Sequence, residues 1–254
     1  MKIHVLGGHG GLSQGFATTS FLIDENLLID AGAVAASLGI EEQKKINHIL
    51  ITHIHLDHIK DLAFICDNCF GQRNEAFRVY THATVKQMLL AHLFNDIIWP
   101  DFTKLPSIAN PTLTIDAVRP EESLKIGDYT VKPVCVQHDH DAMGYIVEKN
   151  DSSVLFSGDT GPTDRIWEIA HSIKNLKAIF TEVSFPNRLQ QVATVSNHHT
   201  ARTLYKDVLK MPSHIPIILT HLKPNFRQEV IQEVQSLNES RIHVLDHDGE
   251  IFNF

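Results

Sequence analysis

The chain has little cysteine, no cluster of lysine or arginine, and no long apolar run. Each absence excludes something. Three cysteines, an odd number, make no disulfide framework and suit a reducing compartment. Cys66-Asp-Asn-Cys69 has CxxC spacing but lacks the second pair of a zinc module, so both cysteines read as residues of a helix. No apolar stretch reaches the ~20 residues that span a bilayer. The opening MKIHVLGGHGG has no charged segment followed by a longer apolar one, so no signal peptide is expected and the cytoplasm is the expected compartment. The formal net charge is −8. Without a basic cluster this argues against avid binding to nucleic acid or anionic membrane, whose affinity comes largely from neutralised phosphates. A small anionic substrate held by a metal remains compatible with it. There is no low-complexity linker and no tandem repeat. With 254 residues, 43% of them hydrophobic and 20% charged, the chain reads as an ordinary globular protein able to bury a sizeable core.

Histidine is what the sequence has in excess: there are seventeen. Four polar residues, His53, His55, Asp57 and His58, crowd into "LITHIHLDHIKDL" at 50–62, directly after an apolar run. In extended backbone, side chains alternate with period two, so His-x-His points two imidazoles the same way and makes a two-toothed chelate. The Asp-His that follows opens a helix and faces a second position beside the first. Such a mix of nitrogen and carboxylate suits zinc, with manganese and iron as alternatives. Burying these groups together without a partner such as a metal would be costly.

The hydrophobic pattern alternates strands with helices, which predicts an α/β protein with sheets covered by helices. "KIHVLGG" and "TTSFLIDENLLIDAG" read as strands, the second a hairpin around Asp24-Glu25-Asn26. "INHILIT" is a short buried strand, "DHIKDLAFICDNC" a helix, "FRVYT" a strand and "ATVKQMLLAHLF" a helix. Residues 95–120 are loop-like and proline-rich, the candidate inserted cap. Later strands are "YTVKPVCVQ", "GYIVEK", "VLFSGD", "LKAIFTE" and "IPIILTHL", and "RIHVLDHDGEIF" reads as a final strand pair. Helices are expected at "DRIWEIAHSI", "TARTLYKDVL" and "RQEVIQEVQSL". His138, Asp159, Glu182 and His221, like the quoted motif, each fall where a strand leaves its sheet at the carboxyl end. Five strands could thus converge on one cleft.

With these residues in view, the sequence resembles the metallo-β-lactamase superfamily over nearly its whole length. The resemblance rests on HxHxDH at 53–58, on His138 six residues before Gly144-Tyr145, on Ser157-Gly158-Asp159-Thr160, and on Thr220-His221. It implies one domain spanning 1–254, a four-layer αββα sandwich, and a dinuclear centre of two divalent metal ions. On that resemblance His53, His55 and His138 would hold one ion, Asp57, His58 and His221 the other, and Asp159 would bridge. His140 has the same parity as His138 and stays an alternative. His4, His9, His48, His82, His92, His171, His214, His243 and His247 read as structural or exposed.

"TEVSFPN" followed by "SNHHTAR" resembles the Glu and His-x-Thr motifs shared by ribonuclease Z and the class II cyclic-nucleotide phosphodiesterases. Aligned on Thr200, this makes His198 the catalytic candidate and Glu182 its orienting partner, with His199 the alternative. "HIHLDHI" at 53–59 and "HLFNDIIWPDFTKLP" at 92–106 are similar to the cyclic-nucleotide branch; Asn95 and Trp99 of the latter, and Thr200 of the His-x-Thr motif, are candidates for substrate contact. The signature's second half is met only loosely, with Asp61, Ala63, Cys66 and Asp67 in it. The implied activity is hydrolysis of cAMP or cGMP to the 5′-monophosphate. The alternatives are a ribonuclease Z-like RNA phosphodiesterase and a lactone or thioester hydrolase on the same fold. The implied partner is a small cyclic nucleotide, and a homodimer is expected by analogy with relatives.

Overall fold

A computed structural model describes residues 1–139 and 141–254. In chain order the first half contains β1 (Lys2–Gly7), β2 (Ser20–Ile23), β3 (Leu27–Ile29), α1 (Val34–Ser37), α2 (Ile40–Gln43), β4 (His48–Leu50), α3 (Leu56–Asn68), β5 (Phe77–Thr81) and α4 (Ala83–Met88), which continues as a π-helical turn (Leu89–Leu93). A two-stranded ribbon, β6 (Pro106–Ser107) and β7 (Asn110–Pro111), precedes β8 (Leu113–Ala117). The second half contains β9 (Leu124–Ile126), β10 (Tyr129–Cys135), β11 (Met143–Lys149), β12 (Ser152–Phe156), α5 (Arg165–Ser172), β13 (Leu176–Glu182), α6 (Gln190–Val195), α7 (Ala201–Val208), β14 (Ile217–Thr220), α8 (Arg227–Gln235), β15 (Ile242–Val244) and β16 (Ile251–Asn253).

Two seven-stranded mixed sheets lie face to face, ordered β16-β1-β2-β3-β4-β5-β8 and β15-β14-β13-β12-β11-β10-β9. Alternate residues of the same strand enter different layers, which explains why so many strands are continuous apolar runs. Leu27, Ile29 and Leu50 face the second sheet, where Tyr145, Val154, Phe156, Ala178, Phe180 and Ile218 meet them. Leu28, Ile49 and Ile51 face outward onto Val34, Leu62, Ile65, Cys66, Val85 and Leu89. On the far side Leu155, Ile179, Ile217 and Leu219 pack under Ile166, Trp167, Leu204, Val208, Val230 and Val234. These three apolar layers make the α-β-β-α sandwich. Deleting one large side chain from any of them costs about 2–5 kcal/mol.

Helix α3 illustrates how the local sequence builds the outer layer. His55, in extended backbone, caps its start, and Asp57 sits in the first turn, where a carboxylate complements the helix dipole. Ile59, Leu62, Ala63 and Cys66 recur at helical spacing and are buried against the first sheet. Cys66 and Cys69 are both buried there, and burial raises the pKa of each thiol.

Two expectations require correction. The segment "RIHVLDHDGEIF" supplies two strands that do not pair with each other: β15 adds to the second sheet parallel to β14, whereas β16 crosses back and pairs antiparallel with β1. Residues 95–120 are not loop throughout, because β8 extends the first sheet parallel to β5. Phe102, in the earlier part of that segment, and Phe94, just before it, are buried in the outer layer beneath the first sheet.

Strands β3, β4 and β5 run parallel in one sheet, and β12, β13 and β14 run parallel in the other. Their carboxyl ends share one edge of the sandwich. There the backbone leaves regular pairing and side chains are free to converge. Among the described residues, no helix is long and apolar enough to cross a membrane.

Candidate metal centre

Five histidines and two aspartates converge at that edge. His53 Nε2 lies 3.0 Å from His55 Nδ1, which lies 3.1 Å from His138 Nε2. The Asp159 Oδ2 oxygen is 3.7 Å from His53 Nε2 and 3.9 Å from His138 Nε2. On its other side the same oxygen is 3.3 Å from His58 Nε2 and 3.1 Å from His221 Nε2. Asp57 Oδ2 completes this second set, 3.3 Å from His221 Nε2 and 3.9 Å from His58 Nε2. For comparison, ligand atoms about 2.0 Å from a tetrahedral ion are about 3.3 Å apart. Two donor sets therefore stand side by side, sharing Asp159, and each draws residues from both sheets.

The opposite nitrogen of each ring determines what the inner one can do. Asp30 accepts hydrogen bonds from Thr52 N–H (2.8 Å), Thr52 Oγ1–H (2.8 Å) and His58 Nδ1–H (2.7 Å). Because the Thr52 hydroxyl donates to Asp30, its oxygen accepts from His53 Nδ1–H at 3.0 Å. His138 Nδ1–H donates to the Asn197 carbonyl at 3.0 Å. Ser184 Oγ donates to Glu182 at 2.8 Å and accepts from His221 Nδ1–H at 2.9 Å. Consequently the Nε2 atoms of His53, His58, His138 and His221 all turn lone pairs inward. His55 turns Nδ1 inward instead, with Nε2 3.7 Å from Asp139 Oδ2.

Lone pairs and carboxylates facing one another need a cation. The fit is tested by His58 Nε2, which is fully buried, has no hydrogen-bond partner, and points at Asp159 and Asp57. Burial lowers the proton affinity of His58, but the Asp159 and Asp30 carboxylates outweigh it and raise its pKa well above the imidazole range. A positive charge is thus demanded at that atom. Burial raises the pKa of the Asp57 and Asp159 carboxyls, yet His221 and His58 hold both well below the carboxylate range. Burial pushes His53 well down, with His58 adding to it, and also lowers His221, leaving the neutral rings that a metal requires. His53, His55, His138 and Asp159 could hold one ion, and Asp57, His58 and His221 a second.

Beside this cluster stands a carboxylate–imidazole pair. His198 Nδ1 is 2.5 Å from Glu182 Oε1, and both side chains are buried. Glu182 also accepts from Thr160 N–H at 3.1 Å, Ser184 Oγ–H at 2.8 Å and His199 N–H at 3.3 Å. The His198 ring lies 4.6 Å from that of His138 and stacks nearly parallel to His221 at 5.3 Å. Burial lowers the His198 pKa, but Glu182 outweighs it and the net direction is up; burial raises Glu182, and His198 brings it below the ordinary range.

The other candidates are placed elsewhere. His199 turns away, with Nδ1 3.2 Å from Thr203 Oγ1 and Nε2 3.5 Å from Asp207 Oδ2. Thr200 caps α7, its hydroxyl accepting from Thr203 N–H and donating to Gln190. Asn95 uses its side chain on its own turn, donating to Ala91 O and accepting from Ile97 and Ile98 N–H. Trp99 packs edge-on to Phe64 of α3 at 5.4 Å. Thr200, Asn95 and Trp99 make no described side-chain contact with the donor sets or with the Glu182–His198 pair. His140 lies outside the described residues.

A family model described as "Beta-lactamase superfamily domain" matches residues 25–245. The chain belongs to the β-lactamase superfamily. Its architecture is the metallo-β-lactamase fold, and the superfamily together with the donor sets makes it a metal-dependent hydrolase. It is 26% identical to a probable 3′,5′-cyclic-nucleotide phosphodiesterase of Yersinia pestis, over 100% of this chain and 89% of that one. It is also 26% identical to 3′,5′-cyclic-nucleotide phosphodiesterase 1 of Saccharomyces cerevisiae, over 75% of this chain and 61% of that one. Among solved structures, unliganded yeast PDE1 superposes with a TM-score of 0.83 at 20% identity, covering 99% of each chain. Human tRNase Z, short form, superposes at 0.67 and 16% identity, covering 100% and 99%.

Three residues that complete this superfamily site, Asp30, Thr52 and Ser184, were not singled out from sequence. Asp30 carried a signal: it ends the apolar run "LLID", the same strand-end position as Glu182. Ser184 lies two residues beyond Glu182 and joins it to His221.

Proposed function

We propose that this hydrolase is a two-metal phosphodiesterase that opens the 3′,5′-phosphodiester of cyclic mononucleotides, giving the 5′-monophosphate. The observation that carries the reading is the buried Glu182–His198 pair set against two adjacent donor sets. Phosphodiester cleavage needs both charge stabilisation at phosphorus and a proton for the departing oxygen. The similarity to proteins named as cyclic-nucleotide phosphodiesterases supports the choice of substrate.

In this reading His53, His55 and His138 would hold one ion and Asp57, His58 and His221 the other, with Asp159 available to both; zinc suits the donor set. When bound there, two divalent ions would supply Lewis-acid stabilisation of the phosphate and lower the pKa of the attacking water. The protein's own residues do the rest. Asp30, Thr52, Ser184 and the Asn197 carbonyl hold the imidazoles with their lone pairs inward. Glu182 accepts from His198 Nδ1–H and favours the imidazolium, raising the His198 pKa against the effect of burial. As the bond from phosphorus to the 3′-oxygen breaks, His198 Nε2–H gives that oxygen its proton, and the proton released from water restores the imidazolium.

Hydrolysis of cAMP, cGMP and bis(p-nitrophenyl) phosphate is the test, with metal-replete protein and an EDTA-stripped control. Metal-dependent turnover of a cyclic mononucleotide far above that of the generic diester is the expected result. Cleavage of the generic diester with none of either cyclic nucleotide would overturn the substrate assignment and favour an RNA phosphodiester.

A further inference from the structure

A cleft of about 450 Å³ lies behind the second donor set, lined by Gly10, Gly11, Ser13, Phe16, Lys223 and Asn225 among others. It is large enough for part of a nucleotide. Its glycine-rich wall is pressed onto the donor set: a Cβ at Gly10 would come within 2.6 Å of the His221 carbonyl oxygen and 2.8 Å of the His221 ring. The cleft is also lined by Lys223, a half-buried cation two residues beyond His221. Its ammonium lies 5.9 Å from the Phe185 ring centre, at the outer limit of a cation–π contact. Phe185 in turn lies 5.7 Å from the His198 ring. Among the described residues the Lys223 ammonium has no carboxylate partner and no hydrogen bond.

We infer that Lys223 binds a non-bridging phosphate oxygen of the substrate, from the cleft side of the centre, as a specificity-determining residue for anionic phosphodiesters. Among the described residues the cation is unpaired; it follows the donor His221 by two residues, is linked to the proton donor through Phe185, and lines a cleft that can admit a ligand. Lysine is a compact point charge with three donors on a flexible stem, suited to holding phosphate. The chain carries a net charge of −8, so an approaching anion is repelled by the molecule as a whole and gains from a local cation. The identity of the substrate in this inference rests on the phosphodiesterase reading; the phosphate chemistry does not.

The experiment compares metal-loaded wild type, Lys223→Met and Lys223→Arg. A hydrogen bond to a charged group corresponds to about 10–100-fold in affinity. KM for the cyclic mononucleotide should therefore rise by about that factor in Lys223→Met, with kcat within about threefold. Lys223→Arg, which keeps the charge, should stay close to wild type. Calorimetry with inorganic phosphate provides an independent measurement, and its Kd should weaken by the same factor in Lys223→Met only. If the wild type turns over no cyclic nucleotide, the reading of the substrate fails while phosphate binding still decides the role of Lys223. Inorganic phosphate that binds wild type and Lys223→Met alike, or neither, overturns it, as does a fall in kcat at unchanged KM.

Discussion

Asp30→Asn isolates the device that orients one donor set without touching a donor. Asp30 accepts three hydrogen bonds, from Thr52 N–H, Thr52 Oγ1–H and His58 Nδ1–H, at 2.7–2.8 Å. An asparagine has one acceptor oxygen where the carboxylate has two. If that oxygen faces the Thr52 amide, the new NH2 group faces His58 Nδ1, which must then become an acceptor. The proton moves to Nε2, and the lone pair aimed at Asp159 and Asp57 is lost. If the oxygen faces His58, the NH2 group opposes the buried Thr52 N–H and leaves it unpaired. Either outcome costs about 1–3 kcal/mol of stability in the metal-free protein, roughly 2–12 °C in Tm for a domain of this size. The first also weakens metal binding, by about 10–100-fold for the loss of an outer-shell partner. Metal content by mass spectrometry, chelator competition and thermal unfolding of the stripped protein measure both parts. Two ions held at wild-type affinity, with an unchanged Tm, would refute the reasoning.

His198→Ala should lower kcat by ~10²–10⁴-fold, the usual worth of a positioned acid, with metal content intact; full activity would remove His198 from the mechanism. Glu182→Gln removes the charge that, against the opposing effect of burial, raises the His198 pKa. The acid form is needed, so the rate falls as pH rises through the folded value, and in the variant that fall should come at lower pH, with kcat/KM reduced about 10–100-fold on the alkaline side. A pH profile superimposable on wild type would count against the pairing. Stability follows the same sign: the contribution of His198 is present below the unfolded imidazole pKa and is lost as pH rises through the raised folded one. Asp159→Ala should lose metal as well as activity, since Asp159 stands within both donor sets; retention of two ions would exclude the bridging role.

Much of the candidate site was legible because its residues are marked twice, by residue type and by position at a strand end. His53, His55, Asp57 and His58 follow the apolar β4, and His138, Asp159 and His221 follow β10, β12 and β14. Most of the long strands were equally direct, since strands buried on both faces read as unbroken apolar runs, whereas β6, β7 and β8, inside the proline-rich segment, and the short β9 were not assigned. What periodicity does not encode is the partner of a strand. Ile242–Val244 and Ile251–Asn253 have ordinary strand character, yet one joins each sheet, a choice made by packing in three dimensions. Asp30 and Ser184 were obscured for a similar reason: their importance lies in which ring nitrogen they meet, and those rings are 28 and 37 residues away. Asn95 illustrates the converse, a polar residue of conspicuous spacing whose hydrogen bonds close its own turn.

Each donor set takes ligands from both sheets, and this bears on how the protein holds together. His55 and His138 are 83 residues apart along the chain, and Asp57 and His221 are 164 apart. An ion gripping such a pair behaves as a reversible cross-link, and closing a loop of about 100 residues restricts the unfolded chain by about 4–5 kcal/mol. The seam between the sheets is thus clasped at one edge by the same atoms that would handle phosphate. Metal supply would then govern how firmly the two halves of the sandwich stay joined as well as whether the site can react, and acquiring the ion would be part of completing the fold.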